Sequence, residues 1–531
     1  MSISLPTAGL HSKYDPWREA EKYLRHSAVP ADSGIYILIE PGKGYLSHHL
    51  HTLNPRAKII EIHCSNRIEA EEPLKSLASA TWSPDSDLSL SGFLSTQIDD
   101  IEIGSVSVVE WPPAERVFGS IYYHIKNGVR NFLQERRATI HTTGKFGRLW
   151  LRNLIRRLAV LPPLLENPSV QAPIVVAASG PSLNRALPLL QSFRTRYFLI
   201  ALPSSITALK HAGIEPDMIV HSDPGYYAMY HLHASHVAIE TAPLYSTGYT
   251  RRVRQTVLLS TATPTEDFFF QELDIHPLQL AAHGTVAGLA FQLALKLTSF
   301  HRDEQPFTGF PLIFTGLDFC FRDIIAHATP HSFGPLLLSQ NNRLRPLQQI
   351  FYTRSPRSEH NEQLQSYALE RYAAWFQQLA PAYQSRVYRL FPSEVPISAF
   401  TDIDANGFEQ VLMASQGSGS SEFRSEEPRQ IPTAVRYAAL QNYTRTLRRQ
   451  FEECIRSLGY GPTIGVGATS ACERLLPTLK NFPLLMEFLQ YTNYSLLFRL
   501  RRGEADHDAL HSAFQQSIRE IDSMIQAVQD L

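Results

Sequence analysis

The chain has 531 residues, of which 44% are apolar and 19% charged, and its length suits about three to four folded units. A formal net charge of -1 argues against attachment to nucleic acid or anionic membranes by overall charge. Its four cysteines match no metal or redox spacing, and no apolar stretch approaches the roughly 18 residues of a membrane span. We therefore expect a cytoplasmic protein without disulfides or membrane insertion.

The first region predicts a small α/β arrangement. Buried strands are expected at 34–39 and 57–63 with a helix between them, and a further strand at 105–111. The Gly42-Lys43-Gly44 turn after the first strand could hold a phosphate, but it lacks the spacing of a P-loop or of a complete G-x-G-x-x-G. We favour a packed turn inside a Rossmann-like N-terminal domain, residues 1–140.

A helical pattern over 121–160 leads to the stretch around which the central region is organised. A β-branched run ending at Ala178 is followed by Ser179-Gly180-Pro181-Ser182 and an amphipathic segment, which predicts a strand, a tight turn and a helix. Gly180 permits a close ligand approach or a positive φ. Ser182 or Asn184 can cap the helix, leaving free N–H groups that favour an anion such as a phosphate. An ordinary βα connection needs the same small residues.

Strands alternate with helical segments through the rest of this region. Further strands are predicted at 197–202, 217–223, 244–247, 257–260, 311–318 and 386–391. The alternation predicts a doubly wound parallel sheet, whose ligands bind beyond the carboxyl ends of the strands. We expect Ser179, Asp223 and Asp318 around one crevice, where the aspartates could bind ribose hydroxyls or a base, hold a metal, or only cap turns.

Polar segments after Asp318 supply candidate general bases. His327, His331 and His360 qualify because imidazole accepts a proton near neutral pH. The sequence contains no G-x-S-x-G elbow, no H-E-x-x-H and no paired cysteines, which disfavours a Ser-His-Asp hydrolase and a zinc site.

The C-terminal part of the chain is predicted to be mostly helical. The Gly/Ser/Glu-rich run 415–427 predicts a flexible loop, and helical patterns cover 435–458 and 506–531. The expected organisation is the N-terminal α/β domain followed by a Rossmann-like central domain, residues 141–400, and a helical C-terminal domain, residues 401–531.

Short motifs occur in a fixed order along the central domain. They are Ser179-Gly-Pro-Ser-Leu183, Ile214-Glu-Pro-Asp217, Ser222-Asp-Pro224, Gly284-Thr-Val-Ala287, and Gly316-Leu-Asp-Phe319 followed by His327-Ala328. Together they resemble the motility-associated factor (Maf) family of flagellin glycosyltransferases, and Gly42-Lys-Gly-Tyr45 resembles that family's first domain. The central domain is also similar to the archaeal-type hydroxymethylpterin pyrophosphokinase (MptE-like). It is more remotely similar to bacterial sialyltransferases with a G-N-G-P-S-L motif, where Ser179 replaces the Asn.

The resemblance implies a site for a CMP-sugar donor. The residues that would contact or line it are Ser179, Gly180, Pro181, Ser182, Asp223, Thr315, Gly316 and Asp318. In the sialyltransferases a histidine precedes a helix and a strand, a setting that is similar around His360. His360 is therefore the preferred catalytic base, and His327 competes with it.

The resemblance implies a transferase that moves a nonulosonic acid of pseudaminic or legionaminic type from CMP to Ser/Thr hydroxyls of flagellin, for flagellar assembly and motility. Flagellin and the nucleotide-sugar are the expected partners, nucleic acid is not, and no metal or cofactor is obligatory. One alternative is pyrophosphoryl transfer from ATP to a pterin alcohol, with Asp223 and Asp318 holding Mg²⁺. Another is a non-catalytic flagellin-binding chaperone that keeps a degenerate nucleotide fold.

Overall fold

The computed structural model describes most of the chain. Described are residues 9–531 except 28, 66–76, 233–236, 248–252, 281–284, 299–309, 322–325, 348, 350–364, 380–382, 384, 416–421, 458–474, 476, 502–506 and 530–531. The chain divides into two compact units, one of residues 1–147, 468–473 and 489–510, the other of 148–467, 474–488 and 511–531. The three-domain division stays a prediction. None of the described helices combines the length and apolar character needed to cross a membrane.

The first unit contains a four-stranded parallel sheet. Its strands are β1 (Ile35–Ile39), β2 (Lys58–Ile62), β3 (Ala80–Trp82) and β4 (Val106–Glu110). They are ordered β3-β2-β1-β4, and every pairing is parallel. All five side chains of β1 are buried, as expected for an apolar run in a sheet enclosed on both faces. The helices of this part are α1 (Pro16–His26), α2 (Tyr45–Leu53), α3 (Leu90–Gln97), α4 (Pro112–Phe118) and the first part of α5 (Ser120–Ala159).

The second unit is organised around a nine-stranded parallel sheet. Its strands are β6 (Ile174–Ala177), β7 (Phe198–Ala201), β8 (Met218–Val220), β9 (Val237–Pro243), β10 (Val253–Ser260), β11 (Leu278–Gln279), β12 (Leu312–Thr315), β13 (Val387–Leu390) and β14 (Thr401–Ile403). They are ordered β11-β10-β9-β8-β7-β6-β12-β13-β14. The predicted doubly wound, Rossmann-like fold class is confirmed, with the smaller α/β sheet N-terminal to it and long helices C-terminal to it.

The remaining helices alternate with these strands and then dominate the end of the chain. They are α6 (Ser182–Ser192), α7 (Ile206–His211), α8 (Ala228–Leu232), α9 (Pro264–Glu272), α10 (Val286–Thr298), α11 (Gly334–Gln340), α12 (Tyr367–Gln377), α13 (Ala405–Ala414), α14 (Thr433–Ser457), α15 (Pro483–Arg501) and α16 (His507–Gln529). Short 3₁₀ turns occur at Asp100–Ser105, Arg194–Arg196 and Pro203–Ser205.

Two segments differ from the sequence prediction. The strand expected at 244–247 is wrong because β9 lies just before it, where the polar Glu240 and Thr241 hide the strand pattern. Part of the loop expected at 415–427 is a strand, β15 (Glu422–Arg424), which pairs antiparallel with β5 (Ser169–Gln171). The ring of Phe423 stacks on that of Phe198, with centroids 5.7 Å apart, and this apolar contact fixes the segment.

The strand order defines one switch point in the large sheet. The chain passes from β6 to β7 on one side, whereas it passes from β12 to β13 on the other, and β6 and β12 are neighbours. Connections that leave in opposite directions open a crevice at the carboxyl ends of such a strand pair, which is where doubly wound sheets bind ligands.

Candidate functional site

The loops after β6 and β12 form the floor of the candidate site. Thr315 pairs with Ala177 at the last position of each strand, so the two strands end at the same level. The Ala178 amide donates to the Thr315 carbonyl at 2.9 Å and the Gly180 amide to the Gly316 carbonyl at 2.8 Å. These bonds continue the strand pairing into the loops and hold them against each other.

Both loop glycines are required by this contact. A Cβ on Gly180 would lie 2.6 Å from the Asp318 Oδ2 and from the Gly316 carbonyl oxygen. Gly316 has a φ of +69° and faces the Ala178 carbonyl, so a side chain there would be strained and would collide with backbone. Gly180 was predicted to allow the close approach of a ligand. In the structure it allows the close approach of the loop after β12.

Asp318 caps α6. Its Oδ2 accepts from the Ser182 amide at 2.7 Å and its Oδ1 from the Ser182 hydroxyl at 2.5 Å, and the residue is only 5% exposed. The expectation that Ser182 or Asn184 caps the helix is wrong, because a carboxylate from a loop distant in sequence does so. The Asn184 side chain instead bonds to Thr329, accepting from its amide at 2.9 Å and donating to its carbonyl at 3.0 Å.

The expected free amides of the turn are also absent in this conformation. The Gly180 and Ser182 amides bond to the β12 loop, while those of Leu183 and Asn184 bond to the carbonyls of Gly180 and Pro181. Proline carries no N–H, so the turn from 180 to 184 offers no unused backbone donor. A bound anion would need other donors.

Ser179 joins the turn to a histidine. Its Oγ lies 3.2 Å from the His327 Nδ1, and its carbonyl accepts from the Ala328 amide at 2.8 Å. The His327 ring keeps solvent access, yet the protein around it desolvates the charged form and lowers its pKa, while a hydrogen bond to the Ser179 backbone opposes that change. His327 is therefore neutral at pH 7, as a general base must be.

Two further histidines extend this contact into a cluster. The rings of His327 and His331 stack, with centroids 4.4 Å apart and planes within 6°. The His231 ring meets that of His331 edge-on at 5.3 Å, and its Nδ1 bonds to the Ser332 hydroxyl. Burial and the neighbouring histidines together lower the pKa of His331 to about 3 and that of His231 to about 4. The cluster is thus uncharged at neutral pH.

An aromatic surface borders the histidine cluster. Tyr226 and Tyr227 are 67% and 64% exposed, and Tyr227 and Tyr230 contact Phe333 with centroids 6.3 and 5.8 Å away. Phe333 in turn lies 4.6 Å from the His231 ring. Apolar contacts therefore run continuously from exposed tyrosines to the candidate site.

The other predicted site residues lie at different depths. Asp223 is exposed after β8, two strands from β6, and its Oδ1 accepts from the Gly225 amide at 2.6 Å. Thr315 is fully buried, and its hydroxyl has no hydrogen-bond partner among the described residues. His360, the preferred base, lies outside the described residues, so its role stays a prediction. The described part of the chain contains no group of three His, Cys, Asp or Glu side chains suited to hold a metal.

Sequence reasoning missed a buried ionic group at the same edge of the sheet. Arg157 of α5 donates to the Glu240 Oε2 at 2.7 Å, and the His221 Nε2 lies 2.7 Å from the Glu240 Oε1. All three residues are at most 3% exposed. Arg157 and His221 lower the pKa of Glu240 to about 2 against the opposing effect of burial. The acidic residue Glu240 within a run of mostly apolar residues was the available signal.

The glycine turn of the first unit is filled from within the protein. The His11 imidazole accepts from the Lys43 amide through Nε2 at 2.9 Å, and a Cβ on Gly42 would collide with the same ring. His11 also packs against Tyr45 and Trp111. This arrangement is the packed turn that we favoured from the sequence.

Behind that turn lies a buried charged group. The His63 Nδ1 and Nε2 lie 3.5 Å from carboxylate oxygens of Glu40 and Glu61, respectively. Burial lowers the pKa of His63, but the two carboxylates outweigh it and raise the pKa to about 9. The imidazolium of His63 therefore has its counter-ions within the fold.

Comparisons with known proteins agree with this architecture. Residues 151–323 match the family model described as 6-hydroxymethylpterin diphosphokinase MptE-like. An uncharacterized protein of Treponema pallidum (strain Nichols) is 24% identical over 437 residues, which cover 81% of this chain and 88% of that protein. The solved structure of the MAf glycosyltransferase from Magnetospirillum magneticum AMB-1 has a TM-score of 0.53 and 12% identity, over 99% of this chain and 87% of that one. The resemblance predicted from the motifs is confirmed: the chain carries an MptE-like domain at its centre and has the fold of a Maf glycosyltransferase.

Proposed function

We propose that this chain is a glycosyltransferase that moves a nonulosonic acid from a CMP-sugar to Ser/Thr hydroxyls of flagellin. The observation that carries the proposal is the shared fold with a Maf glycosyltransferase over 99% of the chain. The ordered motifs that resemble flagellin glycosyltransferases support the donor and the acceptor, and the crevice between β6 and β12 supplies a place for the donor.

His327 is the base that the described geometry supports. Its Nδ1 is held by Ser179, which leaves Nε2 to accept a proton from an acceptor hydroxyl. In the transfer, the acceptor oxygen bonds to the anomeric carbon as the bond from that carbon to the phosphate oxygen breaks. The electron pair of the broken bond stays on CMP, and the hydroxyl proton goes to His327. His360 remains the alternative base.

Residues around the crevice suit the remaining parts of the substrates. Asp223 is exposed, and only one of its carboxylate oxygens takes part in the hydrogen bond from the Gly225 amide. The other oxygen can accept a hydrogen bond from a ribose hydroxyl. The exposed tyrosines Tyr226 and Tyr227 suit an acceptor polypeptide, because tyrosine combines apolar area with a hydrogen-bonding hydroxyl.

Pyrophosphoryl transfer from ATP to a pterin alcohol is the second candidate, because residues 151–323 match the MptE-like model. It would place Mg²⁺ on Asp223 and Asp318. Both oxygens of Asp318 already accept hydrogen bonds from Ser182, so this role would require the cap of α6 to open. The sugar transferase needs no such change.

A transfer assay tests the proposal. Purified protein is incubated with unmodified flagellin and a CMP-nonulosonic acid, and flagellin mass is measured; a parallel reaction contains Mg-ATP and a hydroxymethylpterin. We expect flagellin to gain the mass of the sugar, and His327→Ala to slow this by about 100-fold. The exposed His276, beside Glu166, provides the matched control His276→Ala. Formation of pterin diphosphate instead would favour the pyrophosphokinase. If neither product forms, the chaperone hypothesis remains.

A further inference from the structure

Any nucleotide phosphate in the crevice meets a turn with no unused backbone donor between 180 and 184. The N-terminus of α6, which would otherwise attract an anion, already holds the Asp318 carboxylate. A second negative group there would be repelled. The phosphate must therefore find hydrogen-bond donors and positive charge elsewhere at this edge.

His331 offers a donor without a partner. Its Nδ1 accepts from the Phe333 amide at 3.3 Å, so in the neutral ring the proton lies on Nε2. That Nε2 is buried and has no hydrogen-bond partner among the described residues. An unsatisfied buried donor is costly, and a ligand oxygen would satisfy it.

The stack with His327 limits the charge that the pair can hold. Two imidazolium rings with centroids 4.4 Å apart would repel each other strongly, so the pair takes up one proton. The titratable groups that act on His331 among the described residues are His327 and His231, both of them histidines. Without a carboxylate partner in this set, the pair stays neutral until an anion arrives.

We propose that His331 binds the phosphate of the nucleotide through its Nε2–H and carries the one proton of the stacked pair on Nδ1, which gives up its hydrogen bond from the Phe333 amide, while His327 stays neutral. This role rests on the proposed sugar transfer. As the bond between the anomeric carbon and the phosphate oxygen breaks, the electron pair adds a negative charge to CMP beside the imidazolium of His331. The acceptor proton meanwhile passes to the neutral His327, so the two histidines divide the leaving-group and base roles.

Calorimetric titration tests this division. CMP and cytidine are each titrated into the full-length protein in Tris and in PIPES, whose different ionisation enthalpies reveal proton uptake. We expect uptake of about one proton with CMP and none with cytidine. Affinity for CMP should fall roughly tenfold per pH unit above pH 7, whereas affinity for cytidine should not change.

Two variants test which histidine takes up the proton when CMP binds. His331→Gln keeps a donor but cannot be charged, so it should abolish proton uptake and weaken CMP binding about tenfold while leaving cytidine binding unchanged. His231→Gln, the matched control in the same cluster, should retain the uptake. Wild-type CMP binding without proton uptake, or uptake that persists in His331→Gln, overturns this inference and leaves sugar transfer standing. Failure of the wild type to bind CMP overturns both. The wild-type measurement alone decides the matter if the variant does not fold.

Discussion

Histidines lie at the carboxyl edge of both parallel sheets, and the two edges shift the pKa of their histidines in opposite directions. In the first unit His63 lies between Glu40 and Glu61, and the carboxylates raise its pKa to about 9. In the second unit His331 faces other histidines, and burial lowers its pKa to about 3. Because the counter-ions of His63 lie inside the fold, His331 is the histidine of these two that has proton-binding capacity left for a ligand.

The two glycine turns differ in the same way. The turn at Gly42 is filled by the His11 ring, whereas the turn at Gly180 is locked to Gly316 and Asp318 but opens onto Ser179 and the histidine cluster. A glycine after a buried strand therefore indicates a close approach without saying whether protein or ligand makes it.

Replacing the loop glycine of the second unit should produce the largest effect. Gly316→Ala places a Cβ against the Ala178 carbonyl at positive φ, and we expect a loss of about 3 kcal/mol or more in unfolding free energy. Gly42→Ala also has positive φ, but its obstacle is the His11 side chain, which can rotate, so the loss should be smaller. Chemical denaturation measures both. Gly334→Ala, with open space around the Cβ, is the control, and an equal loss there would contradict the steric explanation.

The pH dependence of stability should separate the two histidine environments. The folded pKa of His63 is raised from 6.5 to about 9, so its contribution, at most about 3 kcal/mol, is complete below pH 6.5 and lost as pH rises through 9. His331 has a lowered folded pKa, so it costs stability as pH falls below 6.5 towards 3.

Thermal unfolding of His63→Gln and His331→Gln across pH 4 to 10 tests these signs. The first variant should flatten the alkaline limb of the stability profile and the second the acid limb. If both variants change the same limb of the stability profile, the two environments do not shift the histidine pKa in opposite directions.

The cap of α6 should have an intermediate effect on stability. Asp318→Ala removes two hydrogen bonds to Ser182 and should cost about 2 kcal/mol, because a buried charged acceptor is lost. Asp404→Ala removes an exposed local cap of α13, which accepts from the Gly407 amide at 2.9 Å, and should cost about 1 kcal/mol. Urea denaturation compares them. Equal losses of unfolding free energy in the two variants would mean that the long-range cap of α6 stabilises the protein no more than the local cap of α13.

The smallest effect should come from the aromatic border of the site. Tyr227→Ser should raise the KM for flagellin by about threefold and leave CMP affinity unchanged, since the ring contacts Phe333 and solvent. The exposed Tyr14 provides the control variant Tyr14→Ser. A change in CMP affinity instead would assign Tyr227 to the donor.

Sequence patterns predicted the features that depend on local composition. The apolar runs of β6 and β12 and the helix after Ser182 were predictable because buried parallel strands and amphipathic helices have characteristic spacing. The partner of Ser182 was not, because Asp318 reaches it from the next strand of the sheet, far along the chain. His231 was missed for the same reason: its contact with His331 depends on the packing of α8 against the loop that precedes α11.

The pairing of β6 with β12 also concerns how the protein is made. Residues 178–311 separate the two strands, and β7 to β11 all lie in that interval. Contacts between such distant segments form late, because the intervening chain must be ordered first. During synthesis, β7 can therefore pair with β6, and β8 to β11 can add beyond β7, while the opposite edge of β6 has no neighbour. The nascent chain gains its ligand crevice only after Asp318 has left the ribosome, and until then an unpaired strand edge is open to aggregation.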